Sequence, residues 1–198
     1  MSAWAGVPDL TGEHVRLAPL ERHHRDAIVA ALADQSNQFT TFIPTEATID
    51  SWYETLEREM GAGRTRAFTA FDSGGEICGV TRYMRMSEKD RRLEIGGTIY
   101  ARRVQRTGLN TEAKLLLLTH AFETMSCLTV QLRTDWLNAA SRAAIERLGA
   151  KCDGVLRGHR IMPDGHVRDT IVYSIIASEW PGVRSNLRQR LRPPSPGR

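Results

Sequence analysis

The sequence predicts an α+β domain with a mixed, mostly antiparallel sheet, helices on both faces and one central parallel strand pair. Three observations lead to this fold class. Short segments alternate apolar and polar residues, and two pairs of them are joined by glycine-containing hairpin turns. Other segments repeat apolar residues at helical spacing. A strand–helix–strand segment from Leu93 to Leu132 requires a crossover connection, which makes its two strands parallel.

Periodicity and turn residues place the elements in order along the 198 residues. Period-two alternation marks the strands, apolar residues three and four apart mark the helices, and Gly, Asn and Asp mark the turns. The predicted elements are a strand at 15–20, helices at 21–34 and 51–60, strands at 66–71, 77–84 and 92–100, a helix at 111–125, a strand at 128–134, a helix at 139–148, strands at 155–162 and 167–176, and a short helix at 178–191.

Local signals support several of these limits. Asp72-Ser73-Gly74-Gly75 and Pro163-Asp164-Gly165 are hairpin turns, so the strands on either side of each are antiparallel. Asn138 is a good N-cap for the helix at 139–148, and Gly149 ends that helix.

Composition and charge exclude several classes of protein. Hydrophobic residues make up 41% and charged residues 25%, as in soluble globular proteins, and no apolar run could span a bilayer. The net charge of +4 comes from five arginines after residue 182, where there is no acid, so a nucleic-acid partner is not expected. Three cysteines and no visible signal peptide favour a cytoplasmic protein. We divide the chain into one domain at 1–181 and a basic, partly disordered tail at 182–198.

A turn between a strand and the long apolar helix is the first candidate site. It reads Gln105-Arg106-Thr107-Gly108-Leu109-Asn110-Thr111. Backbone N–H groups at a helix start are unpaired, and the helix dipole adds positive potential there, so such a turn suits a phosphate or pyrophosphate. Gly108 could also do no more than shape the turn. A single glycine matches neither the Rossmann fingerprint nor the nucleotide P-loop.

Two further features flank this turn. Gly96-Gly97 inside a strand predicts a bulge that separates this strand from its parallel neighbour, although a simple bend would also explain the glycines. Backbone groups freed by such a bulge could pair with an extended, amide-bearing ligand. Asn138 starts the next helix at the carboxyl ends of the same strands, where such sheets bind ligands.

These segments together resemble the GNAT superfamily of acyl-CoA-dependent N-acyltransferases, and most closely its RimJ/RimL-like branch of ribosomal-protein alanine acetyltransferases. The family's pyrophosphate loop, Gln/Arg-x-x-Gly-x-Gly/Ala, matches residues 105–110, with Asn110 in place of the last small residue. The resemblance also covers 93–96, 138–149 and 154–180. It implies a GNAT-like fold, acetyl-CoA as co-substrate and no metal. The cofactor-binding residues it implies are Thr98, Ile99, Gln105, Arg106, Thr107, Gly108, Leu109, Asn110, Thr111, Asn138 and Ser141.

The resemblance implies direct transfer of an acetyl group to a primary amine with the help of a general base. An alkyl amine is protonated at pH 7, and removing its proton costs roughly 4 kcal/mol. We expect Glu94, beside the proposed bulge, to be the base, with Asp135 and His159 as weaker candidates. Ser141 is the candidate to hydrogen-bond the CoA sulfur. Many relatives carry a tyrosine acid where this chain has Ile145, which has no proton to donate.

The acceptor amine is left open: a small molecule, a protein N-terminus or a lysine. We expect it to enter between the loop at 36–48, Trp52 and the hairpin at 162–166. Because the tyrosine is absent, a catalytically weak CoA-binding regulatory module is the alternative. Neither a membrane nor a nucleic-acid partner is expected, and the resemblance allows a homodimer.

Overall fold

The centre of the molecule is one eight-stranded sheet. The computed structural model describes residues 2–35, 42–162 and 164–192. The strands are β1 Leu10–Thr11, β2 Val15–Pro19, β3 Arg66–Asp72, β4 Ile77–Ser87, β5 Arg92–Tyr100, β6 Thr129–Asp135, β7 Lys151–Ile161 and β8 Val167–Ile176. They lie in the order β1-β2-β3-β4-β5-β6-β8-β7, and only β5 and β6 are parallel among these pairs. The predicted mixed sheet with one parallel pair is confirmed.

Helices cover both faces of this sheet. The described residues contain the α-helices α1 Arg25–Leu32, α2 Ile49–Gly61, α3 Leu109–Thr119, α4 Ala139–Leu148 and α5 Trp180–Leu191. Helices α1 and α2 pack over the β4 side chain of Val80, whereas α3, α4 and α5 share the larger core on the opposite face with Leu93 and Ile95 of β5. We call these two sides of the sheet the α1/α2 face and the α3 face. None of the described helices could cross a membrane, being too short or too polar.

Helix α3 differs from its predicted limits. It begins at Leu109, two residues before the predicted start, and after Thr119 it continues as a wider π-helical turn at His120–Thr124. The hydroxyl of Tyr83 donates a hydrogen bond of 2.7 Å to the carbonyl oxygen of Leu117, where the helix widens. A tertiary contact of this kind leaves no trace in the apolar spacing of the helix itself.

Strand β7 begins at Lys151 and not at residue 155 as predicted. Its pairing with β8 shifts register twice, between Cys152 and Gly154 and between Leu156 and Arg160. These bulges interrupt the alternation of apolar and polar residues by which a strand is found in sequence.

The predicted boundary at residue 182 needs correction. Helix α5 packs on α3, with Leu187 completely buried and Val183 buried beside it. The two side chains are four residues apart and form an apolar stripe on a helix that is otherwise rich in arginine. Residues 182–191 therefore belong to the folded body, while 193–198 lie outside the described residues.

Candidate active site

The two parallel strands separate about one third of the way along β5. In the described structure β5 pairs with β6 at three positions, the last being Glu94 with Gln131. Beyond this point β5 stays with β4 as far as Tyr100, and β6 stays with β8 as far as Asp135. We call the opening between residues 95–100 and 132–135 the β5/β6 cleft.

A β-bulge at Gly97 accompanies the separation. The register shifts between the pairs Val80–Ile99 and Arg82–Gly96, so two residues of β5 lie opposite one of β4. Gly97 has a φ of +56°, and a Cβ there would lie 2.3 Å from Arg82 Nε. The predicted bulge is confirmed, and these two constraints explain why the position is glycine.

The turn before α3 presents unpaired N–H groups, as predicted for an anion site. Among the described residues, no acceptor is found for the backbone N–H groups of Arg106, Thr107, Gly108, Asn110 and Thr111. The positive end of the α3 dipole is at the same place. This turn follows the carboxyl end of β5 and so adjoins the β5/β6 cleft. Its N–H groups can therefore hold an oxyanion beside the cleft.

Not every predicted residue of this turn is available to a ligand. Gln105 donates its side-chain amide to the Tyr100 carbonyl at 2.9 Å. Thr107 Oγ1 donates to the Val104 carbonyl and accepts the N–H of Leu109. Leu109 itself is 2% exposed in the core, so both its side chain and its N–H are used internally. The geometry does not favour a ligand contact for Leu109.

The start of α3 is held against the turn between β1 and β2. Gly108 has a φ of −65°, which any residue can adopt, but a Cβ there would lie 3.0 Å from the His14 ring. The buried Glu112 carboxylate accepts the backbone N–H groups of Glu13, His14 and Val15 at 2.9, 2.6 and 2.9 Å. Sequence reasoning missed Glu112, whose only signal is a carboxylate in the first turn of an apolar helix.

Helix α4 begins with the predicted N-cap. Asn138 Oδ1 accepts the N–H of Ser141 at 2.9 Å, which confirms the capping role. The Ser141 hydroxyl is half-buried and has no hydrogen-bond partner within the described parts of the chain. Because α4 follows the carboxyl end of β6, this hydroxyl lies near the second side of the β5/β6 cleft. Ile145 is buried, as an apolar residue at this position should be.

Glu94 lies where β5 and β6 separate, and it is 6% exposed. Its Oε2 atom is 2.9 Å from Arg85 Nε and 3.3 Å from Arg133 Nε. Leu93 and Ile95 point to the α3 face, so Glu94 points to the α1/α2 face. The carboxylate is at the predicted place for a base, but it is also the counter-ion of two arginines that the sequence did not indicate.

The two weaker base candidates have other contacts. Asp135 is 2% exposed, and its Oδ1 accepts the N–H of Leu137 at 2.8 Å. His159 Nδ1 lies 3.0 Å from Thr170 Oγ1, and partial burial together with nearby arginines lowers the pKa of the ring. Neither stands where β5 and β6 separate.

A buried lysine on α3 is a further residue that sequence reasoning missed. Lys114 Nζ donates to Thr98 Oγ1 at 2.8 Å, and Thr98 Oγ1 is in turn 2.8 Å from Thr81 Oγ1. No carboxylate of the described residues forms a salt bridge with it. Burial alone lowers the pKa of Lys114 to about 8. Thr98 thus uses its side chain internally, which leaves only its backbone for a ligand in the cleft.

The expected acceptor entrance is described in part. Trp52 and Phe42 are half-buried, and Trp52 packs against the apolar cluster under α1 and α2. The segment 36–41 of the predicted entrance loop, with Phe39, and Pro163 of the hairpin lie outside the described residues.

Comparison with known proteins agrees with this geometry. Residues 14–151 match the family model described as "Acetyltransferase (GNAT) domain". Because the match covers more than half of the chain, the chain belongs to the GNAT acetyltransferase family. No curated protein matches the sequence.

Solved structures share the complete fold. A T. thermophilus protein assigned as an acetyltransferase is 34% identical, with 94% of this chain and 99% of that chain covered and a TM-score of 0.82. A GCN5-related N-acetyltransferase from Brucella melitensis is 27% identical, with coverages of 94% and 86% and a TM-score of 0.83. RimJ from Mycobacterium smegmatis, solved with CoA-disulfide, is 23% identical, with coverages of 96% and 97% and a TM-score of 0.79, and it shows a common fold.

Proposed function

We propose that this acetyltransferase moves the acetyl group of acetyl-CoA to a primary amine, with Glu94 as general base. The observation that supports the proposal is that an oxyanion-binding turn and an open strand edge lie next to each other. The unpaired N–H groups before α3 follow the end of β5, and the β5/β6 cleft opens along the same strand. A diphosphate with a long amide-bearing arm needs these two features side by side.

The residues present fit such a co-substrate. Arg106, Gly108, Asn110 and Thr111 offer free N–H groups to the diphosphate, as does Thr107. In the cleft, the edge of β5 that faces β6 has no strand partner after Glu94 in the described structure. The backbone of Thr98 and Ile99 on that edge is the proposed partner of the pantetheine amides, and Asn138 the proposed contact on the α4 side. When bound, acetyl-CoA supplies an activated acyl group with a thiolate leaving group.

Side chains of the protein then accept or stabilise the protons that move during the reaction. The acceptor enters as an ammonium ion and leaves as an amide, so it loses two protons while the N–C bond forms and the C–S bond breaks. Glu94 accepts the first proton, which makes the nitrogen nucleophilic. The second proton is transferred from the nitrogen to the departing thiolate sulfur, so that CoA is released as a thiol. Ser141 donates its hydroxyl hydrogen bond to that sulfur, because no tyrosine is present at Ile145 to act as an acid.

Ligand binding is tested first, by thermal unfolding with acetyl-CoA, CoA and pantetheine. A ligand at 100 times its Kd adds about 2.7 kcal/mol to the free energy of unfolding, which for this chain length raises Tm by roughly 5–10 °C. We expect that rise for acetyl-CoA and CoA. Pantetheine has no diphosphate, so it should give little or none. If acetyl-CoA gives no rise, the proposed function is wrong.

Turnover is tested next, as CoA thiol release with a panel of peptides with free N-termini and small primary amines. Glu94→Gln should lower kcat by about 100-fold or more, because a base contributes that much, and leave the Kd of acetyl-CoA unchanged. Glu88→Gln is the matched control, since Glu88 is exposed in the turn between β4 and β5. Equal turnover in the two variants would remove Glu94 from the base role. Tight acetyl-CoA binding with no thiol release for any amine would favour a regulatory module.

A further inference from the structure

Arginines from five neighbouring strands lie on the α1/α2 face of the sheet around Glu94. Arg92 of β5 is exposed and pairs with Asp90. We call the other five the arginine face: Arg82 and Arg85 of β4, Arg133 of β6, Arg160 of β7 and Arg168 of β8. Cross-strand partners share a face, and side chains alternate along a strand. The strand pairings therefore place all these positions on the same face of the sheet as Glu94. The pairs concerned are Arg82–Gly96, Glu94–Gln131, Asp135–Thr170 and Arg160–Arg168. Arg85 reaches the same side through its contact with Glu94.

The arginine face carries more positive than negative charge. Glu94 is shared by Arg85 and Arg133, and Asp135 Oδ2 is 3.9 Å from Arg168 Nε. No carboxylate of the described residues forms a salt bridge with Arg82 or Arg160. In the described structure Glu94 and Asp135 are the two carboxylates paired with the arginine face, and Glu59 of α2 adds negative potential at Arg82 without forming a salt bridge with it.

Three of these arginines have a buried Nε atom without an acceptor, although Arg133 donates through Nη2 to Gln131 Oε1 at 3.1 Å. The Nε atoms of Arg82, Arg133 and Arg168 are inaccessible to solvent and have no hydrogen-bond partner in the described structure. Arg168 is only 8% exposed. Burial is the largest cause that lowers the pKa of all three side chains; nearby carboxylates raise each pKa in part, and neighbouring arginines lower it again.

The register of β7 and β8 adds to this cost. It places Arg160 directly opposite Arg168, and like charges at opposed positions are destabilising. Arg160 is exposed, so this repulsion is partly screened by solvent, but Arg82 is partly buried, has an enclosed Nε and forms no salt bridge within the described residues. Burying a guanidinium group without an ion pair is unfavourable, so stability alone does not favour Arg82 at this position. An arrangement of this kind is explained when a ligand supplies the missing negative charge.

We propose that the arginine face binds an oxyanion carried by the acceptor, so that the acceptor is a primary amine with a carboxylate or phosphate group near its nitrogen. The proposal rests on the proposed function. A guanidinium group offers paired N–H donors that match carboxylate and phosphate oxygens. An oxyanion on Arg133 and Arg168 would hold the amine beside Glu94. It would also replace Glu94 as the partner of Arg133, which leaves that carboxylate free to accept a proton.

The diphosphate of acetyl-CoA is a different oxyanion with a different site. Its proposed site is the turn before α3, and α3 packs on the opposite face of the sheet from Glu94. The two charges therefore enter from different sides of the β5/β6 cleft.

The test compares matched amines and matched arginine variants. The amine pairs are phosphoethanolamine against ethanolamine, and a peptide beginning with Glu against the same peptide beginning with Gln. The variants are Arg168→Gln and, as control, Arg188→Gln, an exposed arginine of α5. We expect the native protein to prefer the charged member of at least one pair by about 10-fold or more in kcat/KM, as charged hydrogen bonds allow. Arg168→Gln should lose that preference, and Arg188→Gln should keep it. A preference within the ethanolamine pair would indicate a phosphate on the acceptor, and a preference within the peptide pair would indicate a carboxylate.

Three outcomes would overturn the inference. The first is equal or better turnover of the neutral amine in both pairs. The second is an equal loss of kcat/KM on charged and neutral amines in Arg168→Gln. The third is an increase of about 10-fold or more in the Kd of acetyl-CoA in that variant, because the arginine would then bind an oxyanion of the co-substrate.

A second measurement does not depend on turnover. Millimolar inorganic phosphate, with acetyl-CoA present, should raise Tm in the native protein and in Arg188→Gln but not in Arg168→Gln. If phosphate gives no rise in the native protein, the arginine face does not bind oxyanions, whatever the fate of the proposed function. If phosphate gives the rise and no amine is acetylated, the binding site stands and the proposed function fails.

Discussion

The buried Lys114 predicts how the stability of the fold depends on pH. Its ordinary pKa is 10.5, and burial lowers the pKa to about 8 in the folded protein. The difference corresponds to roughly 3 kcal/mol. Below pH 8 both the folded and the unfolded chain carry the proton, and the full cost of burying the charge is present. Between pH 8 and 10.5 the folded side chain is neutral while the unfolded one is charged, so stability rises with pH in this window.

Lys114→Met tests this reasoning, because methionine keeps much of the length and removes the charge. At pH 7 the variant avoids the roughly 3 kcal/mol cost and loses one hydrogen bond to Thr98, worth about 1 kcal/mol. We therefore expect it to be more stable than the native protein by about 2 kcal/mol at pH 7. By pH 10 that advantage should have largely disappeared. Urea unfolding of both proteins at intervals from pH 7 to pH 10 measures the difference.

The tyrosines and cysteines titrate in both proteins, so their contribution to the pH dependence cancels in the difference between the two free energies of unfolding. Lys89→Met is the control, since Lys89 is exposed in the turn between β4 and β5. Its difference from the native protein should not change with pH. If the difference in free energy of unfolding between Lys114→Met and the native protein stays constant across the same range, the argument is refuted. Burial would then impose no free-energy cost on the charged lysine at neutral pH.

Three other substitutions test separate parts of the structure. Glu112→Ala leaves three backbone N–H groups without their acceptor and should cost about 3 kcal/mol or more, read as a fall in Tm; unchanged stability would contradict its role. Gly97→Ala forces a side chain onto a positive φ and against Arg82, so it should cost about 1–3 kcal/mol and weaken acetyl-CoA binding in calorimetry; native-like affinity would mean that the bulge does not shape the cleft. Ser141→Ala should lower kcat by about 10-fold, the loss of one transition-state hydrogen bond, without changing the Kd of acetyl-CoA; a raised Kd with unchanged kcat would make it a binding contact only.

Local patterns in the sequence were sufficient for much of the sheet and for part of the site. The bulge at Gly97 and the N-cap at Asn138 were both predicted, because each depends on the conformational preferences of one or two neighbouring residues. The parallel pair β5–β6 followed from the length of the connection between its strands. Features of this kind are encoded within a few residues of where they occur.

The arginine face could not be predicted in the same way. Arg82, Arg133 and Arg168 are separated by dozens of residues, and each has an ordinary strand-like neighbourhood. They meet because β8 is inserted between β6 and β7 and because the register puts them on one side. The tail assignment was wrong for a related reason: the arginine content of α5 concealed Val183 and Leu187, whose burial depends on α3.

The carboxylate of Glu112 ties the N-terminal strand pair to the helix that begins at the proposed diphosphate turn. If β1 and β2 moved away from α3, the three amides at 13–15 would lose their acceptor. The N-terminal end of α3, which is part of the proposed diphosphate site, would then be less firmly held. Linkage of this kind is reciprocal, so occupancy of the turn protects those amides from hydrogen exchange.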